Sequence, residues 1–249
     1  MRLTSVALLL RPLLLARIVL ALSWTVLLAL VAVSTVSLGI WAGDHVMPRL
    51  WARMVLRLLG VDVEVRGQER IDPLSSYVFV ANHRSYLDAL VVLSATRRVP
   101  RFVGAMELGR YPVFGAALGK LGHVLIDRRD PKRAYATLRE AAARIGSRYS
   151  VFFAPEGTRA RCDPRRCDGT ELGPFKDGAF VYAQAARLPV VPIALSGTAR
   201  LWPPGTAIVN QGRVTIEFGR PFATDAVAIG DVKSQVREWI KGALAARAA

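Results

Sequence analysis

A histidine and an aspartate five positions apart, His83 and Asp88, lie in the stretch NHRSYLD that follows the apolar run YVFVA. An imidazole held by a carboxylate in one tautomer keeps its second nitrogen free to take a proton, which is general-base chemistry. Ser85, three residues before Asp88, reads as a helix cap with the carboxylate in the first turn. On an unbroken helix, residues five apart diverge by about 140°. The pairing therefore needs His83 on the turn ahead of the helix, folded back onto it. In the competing reading Asp88 only caps the helix and His83 is a partly buried turn residue.

Two further polar clusters follow apolar runs. GHVLIDRR ends in Asp127 and Arg128, and FFAPEGTRA puts Glu156, Gly157, Thr158 and Arg159 directly after a strand-like segment. Glycine lets backbone amides approach a ligand, threonine adds a hydroxyl, and arginine grips a phosphate through two parallel hydrogen bonds. With Arg128 these residues make a candidate anion cradle. A turn whose Glu156 and Arg159 form a surface ion pair fits the same residues. GAALGK, Gly115 to Lys120, resembles a P-loop but is one residue short between its glycines, and Leu121 replaces the required hydroxyl residue. There is no G-x-S-x-G elbow around Ser196, no H-E-x-x-H and no paired C-x-x-C. Without a protein nucleophile beside His83, direct attack by a substrate hydroxyl is the natural chemistry, and it needs no metal.

The elements that must position these groups follow from periodicity. VDVEVRG alternates like a strand, and SYVFVAN, RFVGA, GHVLIDR, SVFFAP and PVVPIALSG are short, β-branched or aromatic runs that read as further strands. Helical stretches separate them at Ser85 to Ala95, Pro131 to Gly146 and Gly178 to Arg187, and Asp231 to Ala246 closes the chain as an amphipathic helix. Ala207 to Gly219 reads as a hairpin turning at NQG. Strands alternating with helices predict an α/β fold with a central mixed β-sheet flanked by helices, and such folds place their sites at strand ends.

The 249 residues are 52% apolar and carry a formal charge of +15. That basic balance in a chain too apolar for a disordered tail fits anionic membrane surfaces, phosphate-bearing substrates or an acidic protein partner. Nucleic acid ranks lower, since arginines and lysines are spread along the chain without a zinc-finger, RNP or basic heptad pattern. The two cysteines, Cys162 and Cys167, share one polar insert and suggest a reduced, cytosol-facing loop rather than a disulfide framework or zinc site.

Ile18 to Gly43 is a run of 26 uncharged residues. As a helix it would be about 39 Å long, enough to cross or re-enter a bilayer. Arg11 and Arg17 interrupt the residues before it, and its length exceeds the apolar core of a secretory signal. In VMPRLWARMVLRLLG, Val46 to Gly60, Arg49, Arg53 and Arg57 form a narrow basic stripe opposite Leu50, Trp51, Met54, Val55, Leu58 and Leu59. That pattern suits a helix lying in the lipid interface, against the alternative of a core helix with a solvated arginine edge. Two parts follow: residues 1–60 as N-terminal membrane-anchoring helices and residues 61–249 as the catalytic domain.

NHRSYLD, GHVLIDR, FAPEGTR, GPFKDGAF and VVPIA, in that order from about Val61 to Phe222, resemble the glycerolipid acyltransferases typified by lysophosphatidic acid acyltransferase. The resemblance implies that Asn82, His83 and Asp88 belong to the HxxxxD block, with His83 as general base and Asp88 orienting it. It also implies that Arg128, Glu156, Gly157, Thr158 and Arg159 engage the acceptor's phosphate. Lys176 lies in the GPFKDGAF block, and Pro192 lies in a block tied to the acyl donor or to structure. The implied reaction moves a fatty acyl group from acyl carrier protein or coenzyme A to lysophosphatidic acid, giving phosphatidic acid in phospholipid synthesis. No bound cofactor is implied, and the place of work is the cytoplasmic membrane with the catalytic domain facing the cytoplasm. Family members often carry a lysine shortly before the counterpart of Glu107 and Leu108, where this chain has Ala105 and Met106. The connector from Arg159 to Phe175 is also longer than usual. These departures keep glycerol 3-phosphate and other lysolipids, such as lyso-ornithine lipid, open as acceptors, and a non-catalytic phospholipid-binding module is the alternative outside the enzyme class.

Overall fold

The structure is a computed structural model that describes residues 16, 19–31, 34–35, 37–40, 42–111, 114–159, 171–206 and 209–248. The insert holding Cys162 and Cys167, and parts of the 18–43 apolar run, lie outside the described residues. Within those described, strands β1 (Val61–Arg66), β2 (Val78–Ala81), β3 (Arg101–Ala105), β4 (Val124–Ile126), β5 (Val151–Phe153), β6 (Val190–Ser196) and β7 (Gly212–Phe218) form one sheet in the order β1-β7-β6-β2-β5-β3-β4. Every pairing is parallel except β6 with β7, where Ile193 faces Phe218 and Ser196 faces Thr215. The sheet is therefore mixed: alternation of strands and helices gives the parallel part, and the β6–β7 pair adds the antiparallel one.

Parallel strands need both faces covered, so they read as continuous apolar runs. In β2 all four residues are buried, and successive side chains alternate between two cores. Phe79 and Ala81 pack on one face with Val55, Leu87, Val91, Phe152, Ile193 and Phe218. Val78 and Val80 pack on the other with Leu138, Phe153, Phe180, Tyr182 and Ile240. Helices α1 (Ala42–Leu58) and α2 (Leu87–Ala95) cover the first face; α4 (Pro131–Ile145), α5 (Gly178–Ala186) and α7 (Ile229–Ala248) cover the second. The short helices α3 (Phe114–Lys120) and α6 (Thr198–Leu201) fill connections.

One expectation changes. The 207–219 hairpin does not form: residues 209–211 lack strand structure, and β7 takes its partners from β6 and β1. Asn210 instead donates its backbone N–H to Leu201 O at 2.7 Å, tying the segment to α6. GAALGK, dismissed as a phosphate loop, lies in α3.

Helix α1 divides its surface. Ala52, Val55 and Leu56 are buried in the same core as α2, while Val46 and Leu50 are 42% exposed. Arg53 is exposed and donates Nε to Ser94 O on α2 at 3.2 Å. Residues 19–31 are helical and meet α1 through a hydrogen bond from Trp51 Nε1 to Thr25 Oγ1 at 2.9 Å. Ala21 and Leu28 on that helix are buried, while Val19, Leu20, Leu22, Val26, Leu27 and Leu30 are exposed. Among the described residues no helix is long and apolar enough to cross a membrane.

Candidate active site

The polar clusters named above converge at the carboxyl end of the sheet, beyond β2, β4 and β5. Beyond the last residue of β2, Asn82 is fully buried, and its amide makes two hydrogen bonds to one residue of β6: Nδ2 donates to Leu195 O at 2.9 Å, and Leu195 N donates to Oδ1 at 2.8 Å. A side chain thus continues the β2–β6 ladder for one more step and fixes where the chain leaves the sheet. His83 is the next residue.

His83 Nδ1 lies 2.8 Å from Asp88 Oδ2, with the histidine side chain 27% exposed and the aspartate 1%. The same Oδ2 accepts the backbone N–H groups of Arg84 at 2.7 Å and Ser85 at 2.8 Å. Two backbone donors on that oxygen make it an acceptor, so Nδ1 carries the proton and the Nε2 lone pair is left free. The helix begins two residues later than Ser85, at Leu87, yet the capping chemistry is kept: Ser85 Oγ accepts from Leu87 N at 3.1 Å while Asp88 reaches back to Ser85 N. Asp88 is therefore both cap and orienting carboxylate. The two readings of this pair describe one side chain.

Glu156 is also buried, and backbone amides take both of its oxygens. Its Oε1 accepts the backbone N–H of His83 at 2.8 Å and its Oε2 accepts that of Gly173 at 2.9 Å. Both carboxylate oxygens are engaged, and a carboxylate repels phosphate in any case. The sequence grouped Glu156 with the phosphate set; its contacts make it the brace of the histidine loop. Residue-type reasoning missed this because the partner is a backbone amide 73 positions away.

The rest of the cradle is cationic. Arg128 Nη1 donates to Gly157 O at 2.6 Å, joining the end of β4 to the loop after β5. Burial of part of its side chain lowers the Arg128 pKa and the Glu107 carboxylate partly offsets this; arginine's ordinary value is high enough that the group stays a cation. Gly157 has φ 74°, the left-handed region that favours glycine, and the Lys176 side chain lies over it, with Nζ 2.9 Å from where a Cβ would stand. Thr158 is exposed beside it. The Arg159 guanidinium stacks on the Tyr86 ring, 3.5 Å from its centroid, and its buried Nη1 has no hydrogen-bond partner among the described residues. The Tyr86 and Trp202 rings pack at 5.2 Å, and Ser85 Oγ donates to Trp202 O at 2.8 Å, so the segment after β6 walls the same loop. Neither Tyr86 nor Trp202 stands out in the sequence; an aromatic inside the HxxxxD spacing is the only trace.

Pro192 lies apart from this cluster, buried within β6 opposite Val80, where its carbonyl accepts from Gly219 N at 2.8 Å. It serves the sheet. Among the described residues no group of three or more His, Cys, Asp or Glu side chains is placed to hold a metal.

A mixed sheet with a His–Asp pair and a cationic loop at its carboxyl end is an α/β fold carrying an acid–base site, and the comparisons give its family. The family model described as Acyltransferase matches residues 62–196, and the chain belongs to that family. It is 34% identical over 180 residues to a chloroplastic 1-acyl-sn-glycerol-3-phosphate acyltransferase of Brassica napus, covering 72% of this chain and 50% of the relative. It is 31% identical over 182 residues to the 1-acyl-sn-glycerol-3-phosphate acyltransferase of Salmonella typhimurium, covering 73% of this chain and 69% of the relative. The chain spans about half the length of the chloroplastic relatives it matches. The crystal structure of the 1-acyl-sn-glycerophosphate (LPA) acyltransferase PlsC from Thermotoga maritima superposes with a TM-score of 0.70 at 20% identity, covering 94% of this chain and 98% of that one. That likeness establishes a shared fold.

Proposed function

We propose that the protein transfers a fatty acyl group from an acyl thioester, on acyl carrier protein or coenzyme A, to the free hydroxyl of lysophosphatidic acid, forming phosphatidic acid. The single observation that carries this reading is the His83 Nδ1–Asp88 Oδ2 contact of 2.8 Å, with the imidazole still partly open to solvent. His83 Nε2 removes the hydroxyl proton as the oxygen attacks the thioester carbonyl; the new ester forms, the thiolate leaves, and the imidazolium returns the proton to it. Asp88 stabilises the imidazolium and holds its tautomer. Arg128, Arg159 and Lys176 around Gly157 take the acceptor's phosphate, each as a cation able to donate hydrogen bonds.

The exposed apolar residues on the 19–31 helix, with Leu38, Ile40, Val46 and Leu50, support residues 1–60 as the part that seats on the bilayer. Of the basic stripe, Arg53 and Arg57 are exposed and would meet lipid phosphates on the cytoplasmic leaflet, whereas Nε and Nη2 of Arg49 are buried. An acceptor held by its phosphate near that surface would bring its hydroxyl to His83 without leaving the lipid phase.

The test uses membranes containing the protein, radiolabelled acyl carrier protein and coenzyme A thioesters, and a panel of lysophosphatidic acid, lyso-ornithine lipid and glycerol 3-phosphate. Phosphatidic acid should be the main product, and His83→Ala should lower its formation by about 10² to 10⁴. Near-normal turnover in that variant would remove the general base, another preferred acceptor would replace the substrate, and free fatty acid formed irrespective of acceptor would make the protein a hydrolase.

A further inference from the structure

Arg159 is held by an aromatic face where a carboxylate would be the common partner. Its guanidinium carbon lies 3.5 Å from the centroid of the Tyr86 ring, and its Nη1 is buried with no acceptor among the described residues. These two facts belong together. A carboxylate engages arginine edge-on and occupies the fork of N–H groups that a phosphate needs. A stacked ring touches the guanidinium plane and leaves every in-plane donor available. Tyr86 is itself fixed, at one side by Trp202 at 5.2 Å between centroids and through the backbone by the capping bonds of Ser85 and Asp88. It stands between His83 and Asp88 in the chain, so the ring that carries Arg159 is built on the loop that carries the imidazole.

We propose that Tyr86 is the positioning residue of the acceptor site: its ring holds Arg159 with the N–H edge free and sets the reach from the phosphate seat to His83. This rests on the reading that Arg159 contacts the acceptor's phosphate. Because both ends of that reach hang on one short loop, the distance between the phosphate and the hydroxyl that can be acylated is built in. Loss of the ring leaves Arg159 its charge but not its place. Replacement of the ring by an acid leaves it a place but fills its fork.

The experiment measures acceptor KM and kcat with lysophosphatidic acid for the full chain and for Tyr86→Phe, Tyr86→Leu, Tyr86→Glu and Arg159→Ala, with a thermal melt of each. Tyr86→Leu should raise KM about 5- to 30-fold with kcat within about threefold, while Tyr86→Phe, which keeps the ring, stays within about twofold of the parent in both. Tyr86→Glu should bind lysophosphatidic acid more weakly than Tyr86→Leu. A parental KM in Tyr86→Leu, a defect in Tyr86→Phe equal to that of Tyr86→Leu, or a Tyr86→Glu variant better than Tyr86→Leu overturns the proposal. If Tyr86→Leu does not fold, a KM raised more than about fivefold in Tyr86→Phe or a parental KM in Tyr86→Glu overturns the proposal. Arg159→Ala separates the two levels: an unchanged KM there overturns the phosphate reading itself, whereas a raised KM with a parental Tyr86→Leu overturns the role of Tyr86 alone.

Discussion

Glu156 Oε1 accepts the backbone N–H of His83 at 2.8 Å, so the loop after β5 holds the loop after β2 by a buried carboxylate. The second oxygen, on Gly173 N, extends the same brace across the 160–170 insert. Glu156→Gln keeps the shape but sets an amide N–H against one of these two backbone donors. Displacing the imidazole by a fraction of an ångström to an ångström should lower kcat about 10- to 100-fold. Acceptor KM should stay within about threefold. Steady-state kinetics with varied lysophosphatidic acid decide the matter, because a Glu156 that served the phosphate would instead change KM.

His123 packs beside Phe102 and accepts that residue's backbone N–H on Nδ1 at 2.7 Å, with the ring centroids 5.7 Å apart. Burial, with the Arg101 guanidinium adding to it, pushes its pKa down from 6.5 to about 3. The unfolded chain takes up this proton near pH 6.5 and the folded chain only near pH 3. Its contribution to stability is thus full above pH 6.5, falls as pH drops through that window, and is lost below about 3. The loss should be on the order of a few kcal/mol. His123→Asn offers Oδ1 as the acceptor in place of Nδ1 and does not titrate. Urea unfolding between pH 7 and 4 should therefore show a shallower decline in the variant than in the parent.

Tyr182 is fully buried against Phe153, with ring centroids 5.6 Å apart. Its hydroxyl has no hydrogen-bond partner among the described residues, and burial pushes its pKa up to about 12. A buried hydroxyl without a partner carries its desolvation cost uncompensated. Tyr182→Phe should therefore leave the fold as stable as the parent or raise stability by about 1 kcal/mol. Chemical denaturation at neutral pH measures this, and a loss above that size would mean that the hydroxyl is bonded in solution.

Much of the fold was readable in the sequence because its signals are local. Each of the six strand-like runs contains a strand, and the four expected helices appear with their ends shifted by two or fewer residues. The Pro131 start is a good example, since Asp130 caps it through its bond to Arg133 N. Partners were not readable. The stretch 207–219 carries a hairpin's turn residues, yet β7 pairs with β6 and β1, because sheet partners are chosen by burial of Ile216 and Phe218 between elements distant in the chain. The arginine stripe of α1 was visible as a pattern, but the split of that helix between the α2 core and exposed Val46 and Leu50 depends on what packs beside it.

The residue types and spacing of NHRSYLD determined the chemistry: an imidazole, a carboxylate and a cap within reach of one turn, since all the bonds among them span five positions or fewer. What the tertiary structure decided is the division of labour around it. Whether Glu156 meets phosphate or the His83 amide, whether Arg159 meets an acid or the Tyr86 ring, and whether Asn82 faces solvent or Leu195 are questions of which strand ends lie side by side. Neighbouring strand ends are set by the sheet order, and the sheet order is set by burying two apolar faces at once, a property of the whole chain.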